Sequence, residues 1–155
     1  MFSLIISIIA IALVAAIALA SIYYGGDAFQ QGTVEANSST LLNQAQQVQG
    51  AVVLSKIDNE EFNTMSELVP SYLKEVPQFE GTAWKTEDAA NVFEAKAVVM
   101  ELAAGSDELC SQIQENVTNN TTIQTAADSD SLATPQIKGC FVDSTDSKQY
   151  VFFKI

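Results

Sequence analysis

The first 24 residues of the chain, MFSLIISIIAIALVAAIALASIYY, contain no charged side chain, and the first charge is Asp27. As a helix rising 1.5 Å per residue, this segment would span roughly 36 Å, enough to cross the ~30 Å hydrocarbon core of a bilayer. Ser3, Ser7 and Ser21 interrupt the apolar run, but a serine hydroxyl can bond back to its own helix. We therefore expect residues 1–26 to form a membrane-length apolar helix.

A signal peptide or an uncleaved signal anchor would account for the same apolar run. Both alternatives are normally flanked by basic residues, whereas the first basic residue of this chain is Lys56. The sequence therefore favours an anchor whose basic leader has already been removed. Tyr23 and Tyr24 stand where the aromatic residues of a membrane interface are expected.

Helical periodicity continues beyond the apolar run, over residues 27–58. One stripe is apolar or small, and the opposite face is rich in glutamine. The stripe consists of Val34, Ser38, Leu41, Ala45, Val48 and Val52. We expect it to lie on a globular head, with the helix ending near Asp58–Asn59. Gly25 and Gly26 predict a kink or a locally melted turn between the two halves, because each glycine costs ~1 kcal/mol relative to alanine inside a helix.

Composition limits the function. The net charge is −12, with 19 acidic residues, 7 lysines, no arginine and no histidine, which argues against charge-based nucleic-acid binding. No glycine-rich phosphate loop and no nucleophile–base spacing is present, so we expect no catalytic residue and no cofactor. The acidic pairs predict solvated charge rather than a metal site, because no calcium-loop motif accompanies them.

The remaining residues, roughly 130 in number, suit one modest core. A loop and a short helix are expected over 60–80, anchored by Leu68 and Leu73 among others. Residues 82–102 predict two strands around a turn near Glu87–Asn91. Within them Phe93, Ala95, Ala97 and Val99 alternate with Glu94, Lys96 and Val98; a helix over 86–104 is the alternative. Ser106 predicts an N-cap for a helix over 107–117. A strand near 120–126 and a terminal hairpin, Cys140–Val142 with Gln149–Ile155, complete an α+β architecture.

The order of these features resembles the type IV pilins, in particular the type IVb and pilin-like branch. The charge-free helix and its amphipathic continuation come first, and SELVPSYLKEVP resembles the segment that follows the long helix in that family. DELCSQIQENV and GCFVDSTDSKQYVFFKI resemble the elements that carry its two late cysteines. The resemblance covers essentially the whole chain. Each motif alone is weakly specific, whereas the order of the motifs is much more specific. It implies a long helix packed on a small antiparallel sheet.

The resemblance further implies a filament subunit that waits in the inner membrane and then polymerises with copies of itself, with the help of a pilus assembly machinery, into an extracellular fibre. The helix core of that fibre would include Met1, Phe2, Leu4, Ile5, Ile8, Ile11, Leu13, Ile17 and Leu19. The family usually has a glutamate where this chain has Ile5, and subunits without it often cap or initiate filaments. A minor pilin, a secretion pseudopilin and a signal-anchored envelope protein therefore stay as alternatives.

Two cysteines, Cys110 and Cys140, lie far apart in the sequence without histidine or a CxxC motif. A single disulfide formed outside the cytoplasm accounts for them best, and two buried free thiols are the alternative. The enclosed segment, 111–139, resembles the variable surface region of pilins. Trp84 is expected in the core, and Tyr150, Phe152 and Phe153 are expected to pack on the long helix.

Four Asn-x-Ser/Thr sequons are present in the chain. They begin at Asn37, Asn116, Asn119 and Asn120. Such matches arise readily in a chain rich in asparagine and threonine, and the sequence alone does not favour their modification.

Overall fold

The computed structural model describes residues 2–58, 60, 62, 64–87, 96–129, 131–132 and 136–155, with the side chain of Asp27 left out. Its helices are α1 (Phe2–Ile57), a short 3-10 helix (Met65–Leu68) and α2 (Asp107–Thr118). Its strands are β1 (Gln78–Phe79), β2 (Thr82–Ala83), β3 (Lys85–Glu87), β4 (Ala97–Glu101), β5 (Gln124–Ala126), β6 (Lys138–Asp143) and β7 (Gln149–Lys154). The fold is α+β, as the sequence predicts.

The long helix α1 is α-helical through Gly25 and Gly26, so the predicted melted turn at these glycines is wrong. Among the described residues, nothing beyond the local helix backbone lies within 4 Å of where a Cβ would stand at either glycine. The helical backbone hydrogen bonds need no side chain, and this pair of glycines weakens the 56-residue helix without interrupting it. The helix ends at Ile57, close to the predicted end.

By compactness the chain divides into two units, Met1–Glu35 and Ala36–Ile155. The first consists of the N-terminal part of α1. The second contains the rest of α1 and every other element. The division predicted from composition, after residue 26, follows the end of the apolar run rather than compactness and stays a prediction.

In the second unit, the predicted stripe of α1 is buried. Ser38, Leu41, Ala45, Val48 and Val52 are each fully buried, while Val34, in the first unit, is half-buried.

Polar contacts also fix this part of the helix. The Gln44 side chain accepts a hydrogen bond from Trp84 Nε1 (3.2 Å) and donates one to the Gln78 carbonyl (3.1 Å). Trp84 is only 2% exposed, which confirms its predicted place in the core. The helix is therefore held on the head by apolar packing and by side-chain hydrogen bonds.

The five-stranded sheet has the order β3-β4-β7-β6-β5. The hairpins β3–β4 and β6–β7 are antiparallel, as predicted, but β5 pairs with β6 in parallel, so the sheet is mixed. The separate β1–β2 hairpin was not predicted from the sequence. Its two turn residues, Glu80 (φ 49°) and Gly81 (φ 83°), adopt the left-handed backbone that such tight turns require.

Strand β4 confirms the strand alternative for residues 97–101, but not its predicted alternation. Ala97, Val98, Val99 and Met100 are all buried. The strand lies between β3 and β7, inside the sheet, and its alternate side chains are buried on both faces. The predicted turn near Glu87–Asn91 and the alternating positions Phe93 and Ala95 lie outside the described residues, Glu87 excepted.

The aromatic residues of β7 divide between the two faces of the sheet, since neighbours in a strand point to opposite sides. Tyr150 and Phe152 belong to a buried cluster with Phe141 and with Leu132 of the loop after β5, and no residue of α1 is part of it. The prediction that Tyr150 and Phe152 pack on the long helix is therefore wrong, and for Phe153, on the opposite face, it stays a prediction.

Helix α2 covers the other face, on which Cys140 lies. It begins one residue after Ser106, as predicted, but Ser106 makes no side-chain capping bond.

Candidate assembly surface

The N-terminal unit presents an unbroken apolar surface. Every residue from 2 to 24 is exposed, and the most apolar window of 18 residues has a mean hydropathy of 2.9 with no part of it buried. The helix is long and apolar enough to cross a membrane. A surface of this kind is not stable in water, because burying one large apolar side chain is worth about 1.5–3 kcal/mol.

The predicted filament-core residues lie on this surface. Their side chains are all more than half exposed: Phe2, Leu4, Ile5, Ile8, Ile11, Leu13, Ile17 and Leu19. Met1 lies outside the described residues. The prediction omitted Ile6, Ile9, Val14 and Ile22, which are equally exposed. These four residues belong to the same charge-free run. The sequence pattern therefore supports the whole run as the candidate surface, rather than selected positions within it.

The polar groups within the run are satisfied by the helix itself. Ser7 Oγ donates to the Ser3 carbonyl and Ser21 Oγ donates to the Ile17 carbonyl, each at 2.9 Å. Neither hydroxyl therefore needs water or a partner, as expected for serine in an apolar environment. Tyr23 and Tyr24 stack edge to face, with ring centroids 5.4 Å apart, at the polar end of the run.

A disulfide between Cys110 and Cys140 cross-links the head, with 5.5 Å between their Cα atoms. This confirms the predicted pairing. The bond joins α2 to the sheet strand β6, and it encloses the segment that the sequence singled out as a surface region. A disulfide is typical of an oxidising compartment.

A buried glutamine, which the sequence analysis missed, supports the same junction. Gln114 is 1% exposed, and its side chain accepts from the Cys140 backbone N–H (3.0 Å) and donates to the Thr122 carbonyl (3.4 Å). Gln114 thereby connects α2 to strand β6 and to the loop that precedes β5. A glutamine on the inner face of an amphipathic helix is the one signal that would have indicated it, because a buried amide needs partners.

Comparison with protein-family models, with curated proteins and with solved structures finds no match for this chain.

Three ionisable groups with shifted pKa values lie in or beside the turn between β6 and β7. Burial, together with a hydrogen bond to Asp146 (3.0 Å), raises the pKa of the Tyr150 hydroxyl to about 12. A hydrogen bond from the Lys148 backbone N–H lowers the pKa of Asp146. Glu101, 2.7 Å from Lys148 Nζ, raises the pKa of that ammonium. Each pKa shift favours the form that the group has near neutral pH: a neutral Tyr150, an ionised Asp146 and a protonated Lys148.

No site of enzyme type emerges from the described residues. Within them, no three His, Cys, Asp or Glu side chains come close enough together to hold a metal ion. The expectation that the chain has no cofactor and no catalytic residue stays a prediction. The feature with the clearest functional consequence is the exposed apolar helix.

Proposed function

We propose that this chain is the structural subunit of an extracellular filament of the type IV pilus kind. It is anchored in the inner membrane by residues 1–26 before assembly. It then polymerises with copies of itself through these helices, with the help of a pilus assembly machinery. Its role is structural, and it needs neither a cofactor nor nucleic acid.

The observation that carries the proposal is the complete exposure of a membrane-length apolar helix on a chain whose other unit has a core of its own. Such a helix needs an apolar environment over its whole circumference, since its exposed apolar residues include consecutive ones, Leu4–Ile5–Ile6 and Ile8–Ile9. Lipid supplies this environment to a single subunit. A bundle of identical helices supplies it to a fibre.

Composition supports exchange between these two environments. Small residues recur among the large ones, at Ala10, Ala12, Ala15, Ala16, Ala18 and Ala20, and small residues let apolar helices approach each other closely. The run contains no side-chain charge that would have to be desolvated on leaving the membrane. Identical head-to-tail contacts that do not close a ring produce a helical fibre.

A second role, as a tip or initiating subunit or a secretion pseudopilin, is favoured by one residue. Ile5 stands where the pilin resemblance leads one to expect a glutamate that neutralises the N-terminal amine of a neighbouring subunit. A subunit without this carboxylate lacks one electrostatic contact for polymerisation, although apolar packing is unaffected. An anchored envelope protein is the remaining alternative, and it needs no contact between helices.

Two matched lysine variants test the proposal. Ile11→Lys places a charge in the middle of the apolar run, and Gln30→Lys places the same charge on an exposed polar position of the same helix. Each is produced in cells with a pilus assembly machinery, and the chain is measured in the membrane fraction and in material sheared from the cell surface.

We expect wild type and Gln30→Lys in the sheared fraction, and Ile11→Lys reduced at least tenfold there, because a lysine buried among apolar helices is costly. Equal shedding of all three chains would contradict a fibre core made of these helices. Wild type confined to the membrane would favour the envelope alternative.

A further inference from the structure

The four Asn-x-Ser/Thr sequons differ in accessibility. An N-linked glycan is attached to Nδ2 of the asparagine, in a pattern that requires a hydroxyl residue two positions later, and the product is a bulky, solvated group at the protein surface. An acceptor asparagine must therefore offer both Nδ2 and this hydroxyl to solvent. The structure separates the four candidates by this requirement.

Two sequons lie inside helices, where a residue of the sequon is buried or hydrogen-bonded. The sequon at Asn37 is in α1, and its middle residue, Ser38, is fully buried. Asn116, in α2, donates Nδ2 to Ser38 Oγ at 3.0 Å. The hydroxyl of its sequon, on Thr118, donates to the Gln114 carbonyl at 2.8 Å. Modification at Asn116 would break the contact between the two helices.

The other two sequons overlap in the loop that follows α2. Asn119 ends the helix in a left-handed conformation (φ 53°), and its backbone N–H donates to the Glu115 carbonyl at 2.9 Å. Asn119, Asn120, Thr121 and Thr122 are all exposed. The backbone of Asn119 is thus fixed by the helix end, whereas Asn120 is the first residue beyond it.

Asn120 has the better geometry of the two. Its side-chain Oδ1 accepts a hydrogen bond from the backbone N–H of Thr122 at 2.9 Å, a turn that brings the amide close to the hydroxyl residue of its own sequon. Within the part of the chain that the structure describes, Asn120 Nδ2 donates no hydrogen bond. The acceptor nitrogen is therefore available, and the side chain that carries it is oriented.

We propose that Asn120 is the N-glycosylation site of this chain. The co-reactant is a sugar carried on a polyprenyl pyrophosphate. Asn120 Nδ2 forms a bond to the anomeric carbon of the sugar, the bond from that carbon to the pyrophosphate oxygen breaks, and the pyrophosphate leaves with the electron pair. The amide proton passes to a base of the transferase, and no oxidant or reductant is needed.

The disulfide provides independent support, because it places the loop in a suitable compartment. Cys110 and Cys140 are bonded and enclose Asn120 in sequence, which is typical of a chain segment exposed outside the cytoplasm. The inference does not depend on the filament, since a membrane-anchored head would present the same loop.

The overlap of the two sequons provides matched variants. Thr122→Val removes the Asn120 sequon and keeps that of Asn119, whereas Thr121→Val removes the Asn119 sequon and keeps that of Asn120. Each replaces one exposed hydroxyl and leaves the backbone N–H and carbonyl of residue 122 in place. Correct folding is checked by the absence of free thiols and by the fluorescence of Trp84.

The folded full chain, in detergent micelles, is incubated with a purified oligosaccharyltransferase that requires only Asn-x-Ser/Thr, and with a polyprenyl-pyrophosphate oligosaccharide. A short acceptor peptide in the same tube verifies that enzyme and donor are active. Intact mass and peptide fragmentation then locate the glycan.

We expect one glycan at Asn120 in wild type and in Thr121→Val, and its loss in Thr122→Val. Attachment to Asn119, Asn116 or Asn37 in place of Asn120 would overturn the proposal. An unmodified wild-type chain beside a glycosylated peptide would overturn it as well.

Discussion

Gly139, next to the disulfide, has the least tolerant backbone position in the described head. Its φ is 153°, in the range that residues with a side chain rarely adopt. A Cβ there would collide with Gln114 Oε1 and would approach Gln136 Oε1 to 2.7 Å. Gln114 Oε1 is also the acceptor for the Cys140 backbone N–H, so Gly139→Ala should disturb two features together.

The expected loss of stability has two parts. Holding a non-glycine residue in a sparsely populated backbone region costs about 1–3 kcal/mol. Moving Gln114 aside leaves the buried Cys140 N–H without an acceptor, which costs about 1–3 kcal/mol more. We therefore expect Gly139→Ala to lower the free energy of unfolding by roughly 2–6 kcal/mol.

Urea unfolding of the full chain in detergent micelles measures this loss. Trp84 reports on the transition, because it is the single tryptophan and is buried. Gly81→Ala is the matched control. Gly81 has a φ of 83° but no atom within 4 Å of the added Cβ, so it should show only the backbone cost, about 1–2 kcal/mol.

A second background separates the two parts. In a Gln114→Ala chain the acceptor is already absent, so Gly139→Ala should cost only its backbone part, and the two substitutions should be less than additive. Strict additivity, or a cost no greater than that of Gly81→Ala, would refute the role assigned to Gln114.

Three further predictions use the same unfolding assay. Replacing Cys110 and Cys140 by alanine should lower the free energy of unfolding by roughly 3–4 kcal/mol, and reducing the wild-type disulfide should have the same effect; an unchanged midpoint would contradict it. Because the pKa of Tyr150 is raised from 10.0 to about 12, its contribution is complete below about pH 10 and is lost as the pH rises towards 12. Tyr150→Phe should therefore flatten the pH dependence of stability in that window, and an unaltered slope would speak against the shift. Gln44→Ala should cost about 1–3 kcal/mol, because it removes the acceptor of the buried Trp84 Nε1; a neutral effect would show that water replaces it.

Local patterns were sufficient to predict the elements with a strong period. The apolar stripe from Leu41 to Val52, the helix after Ser106 and the terminal hairpin all depend on spacing within a single element. The disulfide followed from the number of cysteines and the lack of metal-binding partners. The apolar N-terminal run was recognised from its length and composition, which are sufficient to indicate an apolar environment.

Features that depend on distant neighbours could not be predicted in the same way. The direction of strand β5 relative to β6 depends on the path of the chain between them. A strand of three residues, Gln124–Ala126, has too short a sequence pattern to indicate whether it pairs in parallel. The alternation around Val98 did not indicate burial on both faces, because that burial depends on the position of its strand between two others. Gln114 has partners in two segments that are remote in sequence, so its role is visible only in the folded head.

Assembly of this chain into fibres is tested by electron microscopy of material sheared from cells that produce it, with mass spectrometry of the main band of that material. We expect fibres built chiefly of this protein, with Cys110 and Cys140 oxidised in the intact mass. Fibres that contain it only in traces would make it a tip or initiating subunit instead. A chain that stays in the membrane fraction, with no fibres in cells that assemble other pilins, would contradict the claim.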